Sequence, residues 1–232
     1  MSTPYTLRPL VAADHEATAH LLHRSLVQWY QSRLGQGSRF GTSHEPFRLF
    51  PAVYAELDPG QSVAACDPAS GELLGVCFVH PRKTHVAVGI VATAPSAQGR
   101  GLARAMLTPV IAQARRDQLP VRLVSSLLNL DSFSLYSRLG FVPHTLYQDL
   151  ALPVPAAGLP GTPPTGATRV RLVTDPSAAA RLAAFEHDLH GLHREPDYAF
   201  FLRNQVGDWR VAMLEDAHGA LTGFLVASHH PS

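Results

Sequence analysis

The residues with the clearest capacity for chemistry are Gln98, Gly99, Arg100, Gly101, Leu102 and Ala103. They form a turn between an apolar run and a stretch of helical spacing. Val86–Val91 is rich in β-branched residues and long enough for one buried strand. Pro95 ends that strand because it brings no N–H to a ladder. From Leu102 onward the apolar spacing is that of a helix. The unpaired N–H groups of a first helical turn converge at such a point, and the helix dipole adds partial positive charge. Gly99 and Gly101 keep Cβ atoms out of the way of an approaching phosphate. The turn therefore points to a phosphorylated cofactor, and the alternative is a tight connection that holds no ligand. A Walker-type loop does not fit, since no Lys follows Lys83. A dinucleotide fingerprint fails where Arg104 stands in place of its third Gly.

What does fit is the pattern Gln/Arg-x-x-Gly-x-Gly/Ala, which Gln98–Ala103 satisfies. It resembles the pyrophosphate-binding motif of the GCN5-related N-acetyltransferases, the GNAT superfamily, whose members bind acetyl-CoA. A second landmark lies beyond the strand candidate Val121–Ser126: Asn129, then Tyr136, then Gly140-Phe141. Two motifs in the right order, with a strand between them, carry the resemblance much further than either alone.

The resemblance implies an α/β (α+β) fold with a mixed central sheet flanked by helices. Its turn-bearing strand and the next parallel strand splay apart, and the cofactor wedges between them. By the same resemblance pantetheine pairs with the strand edge at Ile90, Val91, Ala92 and Thr93. The amides of Gln98, Gly99, Arg100, Gly101, Leu102 and Ala103 take the pyrophosphate, with Arg100 and Arg104 in reach. Asn129 hydrogen-bonds near the cofactor. Read without the family, Arg100 and Arg104 are equally solvated surface charges, and Asn129 is a turn residue. Tyr136 matches the position of a general acid, against the alternative of a helix-face aromatic packed on the sheet. A backbone N–H of Val91 or Ala92 would polarise the thioester carbonyl.

The base is not legible. Val86–Val91 holds no carboxylate, which leaves His80, His85 or a water chain, and both histidines also read as solvated strand-end residues. The implied reaction is direct transfer of acetyl from acetyl-CoA to a primary amine of a small molecule or peptide. Transfer of another acyl group competes with it, as does a CoA-binding regulatory or assembly module with little turnover.

The elements that must position these residues follow in chain order. Tyr5–Arg8 is a short strand candidate. Asp14 can cap a helix with Ala17, Leu21, Leu22 and Leu26 on its apolar side, and a second helical stretch runs from about Ser25 to Leu34. Phe47–Leu57 reads as a short helix. Trp29, Tyr30, Phe40, Phe47, Phe50 and Tyr54 could wall an acceptor pocket, although each taken singly reads as core. Gln61–Cys66 and Leu73–Val79 form a hairpin that leads to Val86–Val91. The next helix buries Leu102, Met106, Val110, Ile111 and Ala114 and contains Pro109, for which a kink is expected. Asp131 or Ser132 caps the helix that carries Tyr136, and Gly140 ends it. Val142 and Tyr147–Leu152 are expected to supply closing strands.

The first domain therefore spans 1–152. Residues 153–167 form a Pro/Gly-rich linker. From 168 to 232 a strand, two helices and a hairpin repeat the order seen in 5–79, as a partial second GNAT-like domain without either landmark motif. Its second helix begins at Arg194, Glu195 and Asp197, a charged cluster that faces either an acceptor cleft or solvent. The half-domain would leave a sheet edge open, so either it docks on the first domain or on a second copy in a homodimer, or the chain is a shortened version of a longer tandem protein.

Composition bounds the partners. The net charge of +1 over 232 residues gives no electrostatic footprint for nucleic acid or an anionic membrane. Thirteen histidines are scattered without metal-ligand spacing, so no metal is expected. Cys66 and Cys77 form no disulfide framework. The N-terminus carries no signal pattern and no apolar run approaches ~20 residues, so a cytoplasmic location is expected.

Overall fold

The computed structural model describes residues 5–148, 150, 152–153, 155–158 and 169–228. Their order is β1 (Thr6–Pro9), α1 (His15–Leu34), α2 (Leu49–Leu57), β2 (Val63–Cys66), β3 (Leu73–Pro81), β4 (Val86–Thr93), α3 (Leu102–Arg116), β5 (Val121–Leu123) and α4 (Leu130–Arg138). These are followed by β6 (Arg169–Val173), α5 (Ala179–His190), α6 (Glu195–Arg203), β7 (Trp209–Glu215) and β8 (Leu221–Ser228).

The first five strands make one sheet in the order β1-β2-β3-β4-β5, antiparallel except for the parallel pair β4·β5. Helices cover both of its faces. Gly75 and Phe78 of β3 point to opposite sides by strand alternation. A Cβ at Gly75 would lie 3.0 Å from Met106 Cε of α3, so that face carries α3. The Phe78 ring packs at a tilt against Tyr54 of α2, 4.2 Å between centroids, so the other face carries α2. Leu21 and Leu22 of α1, Val76 and Phe78 of β3, and Leu102, Met106 and Leu107 of α3 are all buried in this core.

Several local expectations change. His15–Leu34 is one helix, not two, because no Gly or Pro interrupts it before Gly35, which ends it with φ +67°. Ala17 of this helix is exposed, and Thr18 and Ala19 join the buried stripe instead. Asp14 precedes α1 without capping it. Its carboxylate is taken by Arg8, at 2.6 and 2.8 Å, and by the Val11 N–H. Helix α3 runs through Pro109 without interruption and buries the predicted stripe, with Ile111 half-buried.

Val142 forms no strand, and among the described residues of Tyr147–Leu152 there is none either; 149 and 151 lie outside them. Val142, Leu146, Tyr147, Leu150 and Leu152 are all exposed. The pattern is apolar enough for strands, but β5 is only three residues long and offers little edge to pair with.

The second sheet, β6-β7-β8, is wholly antiparallel. Its chain order of strand, two helices and hairpin repeats that of β1-α1-α2-β2-β3. Val173, Leu182, Tyr198, Val211 and Met213 form a separate core. Leu182 of α5 faces inward as expected, Phe185 is half-buried with its ring against Phe224, and Leu189 is 59% exposed in the last turn. The two units meet where the β3–β4 turn and α2 touch α6. Arg82 bridges Asp58 and Asp197, and the His193 N–H donates to Thr84 Oγ1 at 3.2 Å. The C-terminal unit thus packs against the first.

Candidate active site

The parallel pairing of β4 with β5 covers only Val86, Ala87 and Val88. Beyond Val88, β4 continues through Gly89–Thr93 while β5 ends at Leu123 and Val124 turns out to solvent, 80% exposed. A β-bulge begins at the same place. Against β3, Val88 pairs with Val79 and Val91 with Cys77, so Gly89 and Ile90 together oppose Phe78. An extra residue bends its strand and strengthens the local twist. The bulge therefore coincides with the point where β4 parts from β5 and leaves the edge at Ile90, Val91, Ala92 and Thr93 unpaired by β5.

The strand then runs into the helix start that the sequence singled out. Gly99 and Gly101 have φ of +74° and +79°, in the left-handed region that other residues enter at a cost of roughly 1–2 kcal/mol. Nothing lies within 4 Å of a Cβ at either position, so backbone conformation, not crowding by the protein, requires glycine. Gly101 is the N-cap of α3 and contributes no capping side chain, and the first helical bond runs from Ala105 N–H to Gly101 O at 2.9 Å. The amides of Leu102, Ala103 and Arg104 consequently have no partner inside the helix. Gln98, Gly99, Arg100 and Gly101 lie at the surface, Leu102 is buried, and the Arg104 side chain is exposed. Arg100 is close enough to Asp67 for its charge to help hold that carboxylate below its usual range, after the Ser70 and Ala69 N–H groups. This is an anion-receptive helix start.

Tyr136 is positioned by the end of α4. Gly140, with φ +91°, lets Phe141 N–H reach Tyr136 O at 3.0 Å and Gly140 N–H reach Ser137 O at 3.1 Å. These two bonds are a Schellman motif, and its usual apolar contact is here the Phe141 ring against the Tyr136 ring, 5.8 Å between centroids. The Gly-Phe pair after the helix thus fixes the phenol. Burial pushes the Tyr136 phenol above its ordinary pKa, the nearby Cys77 adds to this, and Ser132 opposes it.

Asn129, not Asp131 or Ser132, caps α4. Its side-chain oxygen accepts from the Ser132 N–H at 3.0 Å, as the turn reading required. Asp131 instead receives Trp29 Nε1–H at 3.3 Å and Arg33 at 3.0 Å, which ties α4 to α1. Of the aromatic wall, Phe47 is buried, and Phe40, Phe50 and Tyr54 pack against the core.

The two histidines are not solvated. His80 and His85 are 8% and 3% exposed. His80 Nδ1 lies 2.5 Å from Asp58 Oδ2, and Asp58 also takes Arg82 at 2.7 and 3.0 Å. Arg82 extends to Asp197 of α6 at 2.5 and 3.1 Å. The charged start of α6 is therefore not a solvated face: Asp197 holds Arg82, and Arg194 pairs with the buried Glu186. No sequence signal marks this network, because Asp58 reads as a helix stop, its partners His80 and Arg82 lie 22 and 24 positions away, and Asp197 lies 115 positions beyond Arg82.

The fold disfavours the protonated form of His85. Burial lowers its pKa first, and the charges of Arg122, Arg194 and Arg82 lower it further against an opposing Asp197. The unfolded chain takes up that proton near pH ~6.5. The stabilisation is therefore complete above that range and is lost as pH falls. We expect the melting temperature to fall between pH 7.5 and 5.5, and to fall less in His85→Gln. Equal slopes in the two proteins would contradict this account.

The structure also gathers three side chains that the scattered histidine pattern does not reveal. Glu16 Oε1 is 2.7 Å from His44 Nε2 and 3.5 Å from His20 Nε2. Among the described residues they are the one group with metal-ligand spacing. Arg48 grips both oxygens of Glu16, at 2.7 and 2.8 Å, and the His20 and His44 rings stack face to face. Arg48 and His44 bring the Glu16 pKa down to about 2.

A mixed sheet whose parallel strand pair separates ahead of an open helix start defines a GCN5-related α/β fold. The sequence profile of the acetyltransferase (GNAT) family matches residues 23–141, just over half of the chain, and the chain belongs to that family. No curated protein sequence matches it. Among solved structures, one from Pyrococcus horikoshii superposes with a TM-score of 0.62 at 16% identity, covering 91% of this chain and 65% of its own length. A GCN5-related N-acetyltransferase from Sphaerobacter thermophilus gives a TM-score of 0.60 at 20% identity, covering 100% of this chain and 74% of its own. At these identities the likeness is one of fold, and this chain spans under two thirds of the Pyrococcus protein. Among the described residues no helix is long and apolar enough to cross a membrane.

Proposed function

We propose that residues 1–152 form an acyltransferase domain that moves acetyl from acetyl-CoA to a primary amine of a small molecule or peptide in the cytoplasm, with 168–232 as an accessory unit. The observation that carries this reading is the coincidence at one place of a strand edge released by β5 and a helix start with uncapped amides. The cofactor fits what is present. Gly99, Arg100, Gly101, Leu102 and Ala103 would hold the pyrophosphate through backbone N–H groups, in open space above the two glycines, while the Gln98 N–H already reaches Pro95 O at 3.5 Å. Val91, Ala92 and Thr93 would pair with the pantetheine arm, and a Val91 or Ala92 N–H would face the carbonyl oxygen. Asn129 lends its remaining amide hydrogens beside them. When bound, acetyl-CoA supplies an activated carbonyl and a thiolate leaving group. Tyr136 holds a proton for the departing sulfur, since burial keeps its phenol protonated at neutral pH.

Calorimetry with acetyl-CoA tests this reading. Micromolar binding is expected in the parent, with at least a tenfold loss in Gly101→Val, whose side chain crowds the amides and strains a φ of +79°. A parent that gives no binding heat and acetylates no primary amine would end it.

A further inference from the structure

We propose that His80 takes the proton from the incoming amine, with Asp58 as its positioning residue and Asp197 of the C-terminal unit holding Asp58 in place through Arg82. This rests on the acyl-transfer reading above and assigns the base that reading lacks.

Geometry singles out one nitrogen of the ring. Asp58 Oδ2, 2.5 Å away, can only accept, so His80 Nδ1 carries a proton, and in the neutral ring the lone pair belongs to Nε2. Nε2 projects over the bulge in β4, where a Cβ at Gly89 would lie 3.3 Å from it and 3.2 Å from the Tyr54 hydroxyl. Among the described residues neither Nε2 nor the Tyr54 hydroxyl has a hydrogen-bond partner. Gly89 does not have a positive φ, so no turn demands glycine there. The demand is for space, since the Phe78 Cβ lies 3.3 Å away on the same side as these two polar atoms. Gly89 directly follows Val88, the last β4 residue paired with β5. His80 therefore presents a lone pair to the backbone at the point where the strands begin to part.

The groups facing His80 are Tyr54 from α2, Asp58 directly after it and Arg82 beyond the end of β3, with Asp197 of α6 behind Arg82. Arg82 fixes Asp58 through both carboxylate oxygens, and Asp197 fixes Arg82. This gives the docked second unit a part in the chemistry of the first.

The protons balance. The substrate ammonium gives one proton to His80 Nε2, leaving a neutral amine and an imidazolium countered by Asp58. The amine nitrogen forms a bond to the thioester carbonyl carbon, and the carbon–sulfur bond breaks. Sulfur takes the phenolic proton of Tyr136, and a second nitrogen proton replaces it. His80 then releases its proton to water. Ammonium and thioester have become amide, thiol and one free proton.

The test compares the full-length parent with His80→Gln, using acetyl-CoA and a panel of primary amines. We expect kcat to drop about 10²–10³-fold at pH 7, with acetyl-CoA affinity unchanged. The acid limb of the pH–rate profile should vanish, and activity should recover as alkaline pH deprotonates the amine in solution. A second readout needs no turnover. ¹⁵N NMR of the protein alone should show the Nδ1-protonated tautomer of His80, and Asp58→Asn should disturb it. Asp197→Asn should lower kcat less than His80→Gln does, with KM for acetyl-CoA held. A parent that acetylates while His80→Gln keeps both its kcat and its acid limb would overturn this assignment alone, as would an Nε2-protonated ring. A parent that neither binds acetyl-CoA nor turns over would overturn the acyl-transfer reading beneath it.

Discussion

Tyr136→Phe is expected to reduce kcat for acyl transfer by about 10²–10⁴-fold while leaving the affinity for acetyl-CoA unchanged. The substitution removes one oxygen and keeps the ring, so the contact with Phe141 at 5.8 Å and the Schellman end of α4 survive. What disappears is a proton held in a half-buried site. Burial raises the phenol above its ordinary value of about 10. The neighbouring thiol cannot substitute as the acid, because burial pushes Cys77 up to about 12 and encloses it in β3. A thiolate whose conjugate acid lies near ~8.5 is a weak match for so weak an acid, so proton transfer must accompany carbon–sulfur cleavage and cannot follow it. Loss of the donor should therefore appear in kcat and not in ground-state binding. Steady-state kinetics with paired calorimetry checks this. An unchanged kcat would return Tyr136 to the role of a packed aromatic.

The contrast between what the sequence disclosed and what it did not has a physical origin. The turn at Gln98–Ala103 was legible because local backbone chemistry writes itself into residue type. A left-handed φ at Gly99 and Gly101 and a strand stop at Pro95 are each short-range demands. Gly140-Phe141 was legible as a helix end for the same reason. The repeated order of strand, helices and hairpin in the second unit could be read from periodicity alone. Closing strands after Val142 were expected from apolar pattern, but a strand also needs an edge to join, and β5 is too short to supply one. The buried Asp58–Arg82–Asp197 cluster stayed hidden because pairing across 115 positions, from Arg82 to Asp197, leaves no periodic trace. Asp58 in particular sits in an Asp-Pro-Gly run that already has a complete local explanation as a helix stop. His80 and His85 were misplaced for a related cause. A histidine at a strand end is solvated unless another element covers it, and the covering element of His80 is α2, which comes earlier in the chain.

Arg82→Met is expected to destabilise the protein by about 3–5 kcal/mol, the usual cost of removing one partner from a buried ion group. The Arg82 side chain is 2% exposed, and those of Asp58 and Asp197 are 10% and 18% exposed. The methionine would fill the volume, but two carboxylates would be left with no cation between them. The penalty comes from those unpaired charges and not from the lost contact, so Asp197→Asn added to Arg82→Met should restore part of the stability. Acid should act in the same direction. In the parent, burial pushes the Asp58 pKa up, but hydrogen bonds from His80 and Arg82 more than offset this and hold it below the ordinary range. A depressed carboxylate contributes stability that is full above about pH 4 and is lost as pH falls through its folded value. In Arg82→Met Asp58 has lost that support, so protonation relieves the variant as the pH falls towards 4, while the parent keeps its contribution from Asp58 over the same range. The gap between the two in urea denaturation should therefore narrow from pH 7 to pH 4. A gap that stayed constant across that range would mean that Arg82 stabilises the junction of the two units by packing and not by charge.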